Sequence, residues 1–258
     1  MDKSSVAGLS IALSGILFGL ILEGGKIAQV LQPTAALIVF GGTLGAVMLQ
    51  FPLRVIIEAF HSLGHVFFDK TPNPHELISQ IVGYAHKARK EGIISLDNDL
   101  QAIHDPFLKK TLMLAVDGTD PQEIRNMMGL ELDNQAEHNY QIPRVFEAAG
   151  GFSPTIGIIG AVLGLIQVMQ HLDDISEVGR GIAVAFVATI YGVGAANLFL
   201  LPVAGKITMR MRQEQTRREM VLEGVISILE GMNPRMIETK LMAFFSEANQ
   251  HANKRLTA

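Results

Sequence analysis

Four stretches of the chain lack charged residues and are long enough to cross a lipid bilayer. They comprise residues 4–22, residues 34–51 and the two halves of residues 152–202, which a short acidic connection joins. An α-helix needs roughly 20 predominantly apolar residues to cross the hydrocarbon core. The pattern therefore predicts two transmembrane hairpins.

Amphipathic sequence replaces the apolar runs between residues 52 and 150. Pro74 is placed to start a helix and Gly92 to end it, and apolar residues recur between them at helical spacing. Proline is favoured in a first helical turn, and glycine just past a helix end. The segment is therefore predicted to be a helix whose buried face carries Leu77, Ile78, Ile81, Ala85 and Ala88.

Further helices are predicted before the second hairpin. Ser95 is expected to cap one, a break at residues 104–106 precedes a short one, and residues 120–121 begin another that ends near Tyr140. No strand pattern competes with these helices. We therefore predict an all-α membrane protein with four transmembrane helices, a helical domain between the second and third, and a helical C-terminal tail.

The tail after Pro202 is basic and is predicted to continue as a helix into water. Gly231 and Pro234 interrupt it, and an amphipathic helix follows with Ile237, Leu241, Phe244 and Phe245 on its apolar face. The predicted division of the chain is thus a hairpin over 1–51, a helical domain over 52–150, a second hairpin over 151–203 and a tail over 204–258.

The distribution of basic residues predicts the orientation. Of the 21 Lys and Arg residues, nine lie in residues 52–150 and nine follow Pro202, whereas the two short loops within the hairpins hold only Lys26 and Arg180. Basic residues accumulate on the cytoplasmic side of a membrane. Both termini and the inserted domain are expected in the cytoplasm, and the first helix is expected to be retained rather than cleaved.

Small residues recur along the second hairpin. Gly157, Gly160 and Gly164 share one side of its first helix, and Gly192 belongs to a similar row on the second. Small residues allow close approach of helices in lipid. These rows of small residues therefore predict a face at which the helices pack closely together.

Polar and helix-bending residues interrupt this packing face. Thr189 lies within the row on the second helix, and Pro154 and Pro202 each lie near one end of a helix of the hairpin. A proline within a membrane helix frees a carbonyl group and bends the helix.

The spans contain no Asp, Glu, Lys, Arg or His between their ends. An ion path through lipid normally includes an ionisable group. Either the protein moves no ions, or a partner supplies the charge.

No enzyme site is found in the sequence. The chain has no cysteine, and His86, His104 and His138 lack metal-ligand spacing. Ser153 and His171 are too far apart for a serine hydrolase, and the glycines of the third span lack the strand and lysine of a phosphate loop. We expect no catalytic residue, metal or cofactor, and the net charge of −4 argues against nucleic-acid binding.

A cluster of charges surrounds the predicted end of the first cytoplasmic helix. It contains Lys87, Arg89, Lys90 and Glu91, with Asp97 after the break. A solvated helix end would explain it. An electrostatic contact with a partner protein would also explain it.

The chain resembles the MotA/PomA subunit of the bacterial flagellar motor stator, in the branch that includes MotC, over nearly its whole length. The plan of spans and cytoplasmic domains is similar. The matching stretches are residues 88–97, residues 116–118, residues 154–164, Ala188–Thr189 with Pro202, and residues 231–235.

The resemblance implies a proton channel of the bacterial inner membrane, in contact with lipid, in which five subunits surround two copies of a MotB-type partner. The partner's single transmembrane Asp would accept the ion. Arg89 and Asp97, with neighbouring Lys90 and Glu91, match charged positions that face the rotor protein FliG. Pro154, Thr189 and Pro202 match channel positions. The family commonly has Glu where this chain has Asp97.

The transported ion is expected to be a proton, with sodium as the alternative. Sodium needs oxygen ligands to replace its water. Sodium-type members of the family resemble one another in having Thr at the position of Ala161, where this chain has a methyl group.

Two other functions compete with the stator hypothesis. An ExbB/TolQ-type energiser has a similar channel hairpin, but the first hairpin of this chain argues against it. The protein could also be a membrane scaffold that carries no ions.

Overall fold

The computed structural model describes residues 3–68, 74–170, 172–173 and 175–244. Every regular element in this part of the chain is a helix, and none of its residues lies in a strand. Four helical stretches are long and apolar enough to span a membrane. The predicted all-α membrane architecture is therefore confirmed.

The chain forms two compact units, and each combines separate stretches of sequence. The membrane unit comprises Met1–Lys70 and Asn139–Met209, and the second, here called the helical unit, comprises Thr71–His138 and Arg210–Ala258. The four predicted segments are thus grouped differently in the structure. Residues 53–68 and 139–150 belong with the membrane helices, and residues 210–244 of the tail belong with the inserted domain.

The first hairpin of the membrane unit begins with α1, Lys3–Leu22, which ends at a turn where Gly24 has a φ of 79°. The connection to the second span contains α2, Ile27–Val30. The span itself consists of α3 at Pro33–Ala36, a π-helical turn at Leu37–Gly41 and α4 at Gly42–Gln50. An amphipathic helix follows as α5, Leu53–Phe68.

The helical unit is folded around one apolar core. Its elements are α6 at Pro74–Glu91, a 3₁₀ segment at Ile93–Ala102, α7 at Pro106–Val116, the start of α8, the end of α10 and a helix over residues 234–244. Their core side chains include Leu96, Leu108, Leu112, Ile124, Met220, Ile237 and Leu241, which are all fully buried. Gly231 ends α10 with a φ of 72°, as its position in the sequence indicates. Phe245, predicted on the last helix, lies outside the described residues.

The second hairpin is formed by two very long helices. The first, α8, extends over Pro121–Gln170. The other is assembled from α9 at Ile175–Gly194, a π-helical turn at Ala195–Leu200 and α10 at Leu201–Leu229.

The prediction that a helix ends near Tyr140 is wrong, because α8 continues without interruption to Gln170. Pro143 and Pro154 lie inside it. A proline removes one helical hydrogen bond, and packing of an apolar face can offset that loss. This face continues through the expected break as Ile142, Val145, Phe146 and Ala149, which are all buried.

The prediction that Ser95 caps a helix is also wrong. The turn begins at Gly92, whose φ of 84° suits glycine, and residues 93–102 continue as a 3₁₀ helix. Ser95 lies inside this segment, where its hydroxyl donates a hydrogen bond to the Gly92 carbonyl at 2.7 Å. The N-cap position of this segment is therefore occupied by Gly92 and not by Ser95.

Asp105 joins the start of α7 to the basic part of α10. Its Oδ1 accepts hydrogen bonds from the backbone N–H groups of Phe107 and Leu108, both at 2.9 Å, and its Oδ2 accepts one from Arg217. Arg217 also donates to Glu214 at 2.7 Å. Burial alone would raise the pKa of Asp105, but these hydrogen bonds and the charge of Arg217 hold it below its ordinary value of 3.8.

Replacing Asp105 with Ala should lower the free energy of unfolding of the chain in detergent by about 2 kcal/mol, because both a helix cap and an ion pair are lost. Asp120→Ala is the matched control. Asp120 accepts from the Gln122 N–H at 2.8 Å and is exposed, so its loss should cost only about 1 kcal/mol.

The contribution of Asp105 should also depend on pH in a defined direction. Because its pKa is lower in the folded than in the unfolded chain, the stability it provides is present above pH 3.8 and lost as the pH falls through the folded pKa. The stability difference between the wild type and Asp105→Asn should therefore shrink in acid. An unchanged difference would contradict this assignment.

Candidate functional site

The centre of the second hairpin is a place where two helix backbones touch. A Cβ atom added to Gly157 would lie 2.9 Å from the Ala188 carbonyl oxygen, and one added to Gly192 would lie 2.5 Å from the Ser153 carbonyl oxygen. No real side chain fits at such distances. The helices α8 and α9 therefore pack here without any side chain between them.

The other two predicted packing glycines extend this contact along α8. A Cβ on Gly160 would meet the Ala188 methyl group at 2.8 Å, and one on Gly164 would meet the Gly181 carbonyl oxygen at 2.9 Å. Gly157, Gly160, Gly164 and Gly192 are all buried. We call these four residues the glycine contact.

Two predicted channel residues lie at the same crossing. The Cα of Pro154 is 3.2 Å from the position of a Cβ on Gly192, and the Cα of Thr189 is 3.4 Å from that of a Cβ on Gly157. The Thr189 hydroxyl is half-buried and donates to the Ala185 carbonyl at 3.3 Å. Ala161, also half-buried, lies one turn beyond Gly157 on α8.

Pro202 lies apart from this group. It is exposed in the first turn of α10, directly after the π-helical turn Ala195–Leu200. Ten residues of helix separate it from Gly192, which corresponds to about 15 Å. Pro202 lines a groove with Gly8 and Leu9 of α1 instead.

Two hydroxyl groups near this crossing are buried, which only the structure reveals. The Ser153 and Thr43 hydroxyls are buried and have no hydrogen-bond partner among the described residues. Leaving such a group unpaired costs about 1 to 3 kcal/mol. The sequence shows that Ser153 is a polar residue in an apolar run, but its burial depends on how α8 packs against α9.

A contact between two spans lies close in sequence to both hydroxyl-bearing residues. A Cβ on Gly42 would meet Ile156 at 2.8 Å, so α4 and α8 touch next to both Thr43 and Ser153. Pro154 has no N–H group and leaves the Gly150 carbonyl without its helical partner. Polar groups are therefore concentrated around Pro154, in an otherwise apolar bundle.

The predicted rotor residues form an exposed charged surface on the helical unit. Arg89, Lys90, Glu91 and Asp97 are all exposed, and none forms an ion pair with another described residue. Lys87 differs, because its Nζ donates to Asp99 at 2.7 Å and this hydrogen bond raises the pKa of Lys87. The pair joins α6 to the following 3₁₀ segment.

Arg235 is a further cation beside this surface. With Asn233 it lines a groove that also contains Arg89 and Lys90. The match of residues 231–235 to the stator family was the only signal for it, since nearly 150 residues separate it from Arg89 in the sequence. No group of three or more His, Cys, Asp or Glu side chains suited to a metal ion occurs in the part of the chain that the structure describes.

Two family models match the chain. Residues 6–92 match the motility protein A N-terminal model, and residues 99–220 match the model of the MotA/TolQ/ExbB proton channel family. Motility protein A of Bacillus subtilis (strain 168) is 36% identical over 246 residues, which cover 95% of this chain and 91% of that protein. The chain belongs to the MotA/TolQ/ExbB proton channel family.

Other members of the family match over the same extent. The chemotaxis protein PomA of Vibrio alginolyticus is 32% identical, and the match covers 97% of this chain and 98% of PomA. A chain of the structure of C. jejuni MotAB matches with a TM-score of 0.90 at 31% identity, and the match covers 95% of this chain and 96% of that chain. A chain of the flagellar MotAB stator complex from Bacillus subtilis matches with a TM-score of 0.88 at 34% identity, and the match covers 97% of this chain and 99% of that chain.

The glycine contact can be tested by adding a single methyl group to one of its glycines. Gly192→Ala should force α8 and α9 apart, because the rigid Ser153 backbone lies 2.5 Å from the new Cβ. Overpacking of this kind costs about 1 to 3 kcal/mol. We expect a lower melting temperature in detergent and less protein in the membrane.

Gly194→Ala is the matched control for this substitution. Gly194 lies on the same helix, two residues further on, and a Cβ there would meet nothing within 4 Å. Its replacement should leave the melting temperature nearly unchanged. Equal effects of the two substitutions would contradict the close approach of the backbones.

Proposed function

We propose that this chain is the ion-channel subunit of a flagellar motor stator, and that with a MotB-type partner it couples inward proton flow to torque on the rotor. The observation that carries the proposal is its match, over 95% of its length, to Motility protein A and to a chain of a MotAB structure. The N-terminal match favours the stator over the energiser, because it covers the first hairpin.

The missing charge in the spans is the reason to propose a partner. No Asp, Glu, Lys, Arg or His lies within any of the four apolar stretches. A proton relay through lipid normally uses such a group. We assign it to a transmembrane Asp of the MotB-type partner, which explains why the chain by itself has none.

The exposed apolar surface of the second hairpin supports a homo-oligomer around that partner. Its large exposed side chains include Ile158, Ile159, Val162, Leu163, Phe186, Ile190 and Val193. By helical spacing, those of α9 share one side of the helix and those of α8 cover a broader side, which suits contacts with neighbouring subunits, partner and lipid. A ring of five subunits remains the proposed arrangement.

Pro154, Ala161 and Thr189 are proposed to line or gate the ion path. The first and last lie together at the glycine contact, where Pro154 removes a helical hydrogen bond from α8 and Thr189 adds a hydroxyl group. Pro202 is proposed to act at the π-helical turn instead, as a point where the fourth span can bend.

The charged surface with Arg89, Lys90, Glu91 and Asp97 is proposed to contact the rotor protein FliG. Its exposure and the absence of ion pairs with other described residues leave these charges available to a partner. We also propose that both termini and the helical unit lie in the cytoplasm, because basic residues are concentrated there, and that the spans lie in the bacterial inner membrane.

Charge reversal at Arg89 should reduce torque without unfolding the protein. Exposed ion pairs contribute only about 0 to 1 kcal/mol to stability, so Arg89→Glu should leave protein level and partner binding intact while swimming speed falls. Lys110→Glu is the control, since Lys110 is also exposed and pairs with Glu131 at 2.5 Å. Loss of the Arg89→Glu protein from the membrane would indicate a structural role instead.

The function itself is tested by expressing the chain in a strain without stator genes. Swimming should return only when the MotB-type partner is present, it should collapse with a protonophore, and it should not respond to sodium at fixed pH. Ala161→Thr provides a comparison, because the added hydroxyl supplies an oxygen ligand for sodium. Swimming that follows sodium and survives the protonophore would overturn the proton assignment, and no swimming with the partner would count against the stator.

A further inference from the structure

Tyr191 connects the second hairpin to the first through its hydroxyl group. The residue lies on α9 and is half-buried. Its hydroxyl donates to the Val30 carbonyl at 2.6 Å and accepts from the Gln32 N–H at 3.2 Å. The ring stacks on Phe40, with centroids 6.0 Å apart and an interplanar angle of 28°.

Both backbone partners of Tyr191 lie at a break in the helix. The helix α2 ends at Val30 and α3 begins at Pro33, and the two residues between have extended backbone angles, with ψ of 90° at Leu31 and 100° at Gln32. Backbone groups released by such a break are costly when they lie away from water. A tyrosine hydroxyl has one donor and one acceptor function, so it can satisfy one N–H and one carbonyl group together.

The position of Tyr191 also relates it to Thr189. Two residues along a helix correspond to a rotation of about 200°, so these side chains leave α9 on nearly opposite sides. The Thr189 side of α9 touches α8 at Gly157, whereas the Tyr191 side meets the first hairpin. Val187 and Ala188 reinforce that second contact by packing against Ala35 and Val39.

We propose that Tyr191 is a positioning residue whose hydroxyl fastens the α2–α3 break to α9 and so fixes the rotation of α9 that presents Thr189 to the ion path. The part concerning Thr189 rests on the proposed channel function. The fastening of the break does not depend on it. The two parts therefore need separate measurements.

The first measurement reports how accessible the α2–α3 break is to a reagent, and it does not depend on the channel function. The chain has no cysteine, so Gln32→Cys introduces its only thiol group, at a half-buried position whose backbone N–H bonds Tyr191. Tyr191→Phe keeps the aromatic ring and removes only the hydroxyl. In membranes, the rate at which a small thiol reagent modifies the cysteine should rise several-fold when Tyr191→Phe is added.

Tyr84→Phe is the matched control for this measurement. Tyr84 belongs to the helical unit, and its hydroxyl accepts a hydrogen bond from Gln80 at 2.9 Å. Its replacement should leave the thiol modification rate unchanged. A rate that is the same with Tyr191 and with Phe at that position would overturn the fastening of the break.

The second measurement concerns Thr189. Swimming speed is normalised to the amount of protein in the membrane for Tyr191→Phe, Thr189→Ser and the double variant, each expressed with the MotB-type partner. Residues that act on one position couple in a double-mutant cycle, whereas independent effects add. We expect Tyr191→Phe to lower the normalised speed several-fold in the wild-type background and clearly less in Thr189→Ser.

The possible results separate the proposal from the proposed function. A faster thiol reaction with additive effects on speed would overturn the positioning of Thr189, since Tyr191 would then only stabilise the fold. If wild-type chain and partner give no swimming while the thiol reaction still accelerates, the stator function fails and the fastening of the break is supported.

Discussion

The close approach of α8 to α9 is the contact on which the membrane unit depends. It exists because Gly157 and Gly192 have no side chains, so the Ala188 and Ser153 carbonyl groups can touch the opposite helix. In lipid, apolar surface gains little from burial against another helix, and association depends on packing and on polar contacts. The same crossing therefore holds Pro154 and Thr189 at defined positions, because any side chain at the glycines would separate the two helices.

Satisfaction of backbone polar groups is the second constraint on this unit. The helix is interrupted at Leu31 and Gln32, directly before the second span, and the Tyr191 hydroxyl bonds one carbonyl and one N–H group at this break. Two π-helical turns, Leu37–Gly41 and Ala195–Leu200, add further irregularity to the spans. Such irregular backbone is stable in a membrane only where protein covers it. The irregular part of the first hairpin before Pro33 therefore depends on contact with α9 of the second.

The helical unit is stabilised differently, by an apolar core and by charges that are paired within it. Glu214 and Asp105 accept from Arg217, and Glu223 accepts from both Arg125 and Lys240. Hydrogen bonds of this kind keep the pKa of Glu223 low, even though burial alone would raise it. Exposed charges such as Arg89 and Asp97 have no such partner among the described residues. Charges that hold the fold are therefore distinct from those offered at the surface.

The sequence by itself determined the all-α class, the four spans and the family, because uncharged apolar runs, helix-starting prolines and family-matching stretches are local properties of the chain. It also indicated the packing glycines, since their spacing follows the helical period. Only the tertiary structure decided that α8 continues beyond Tyr140, that Pro202 lies apart from Pro154 and Thr189, and that Tyr191 bonds Val30 and Gln32. The physical reason is that these features depend on contacts between residues distant in sequence: a buried face carries a helix through a proline, and a hydroxyl is needed where another helix breaks.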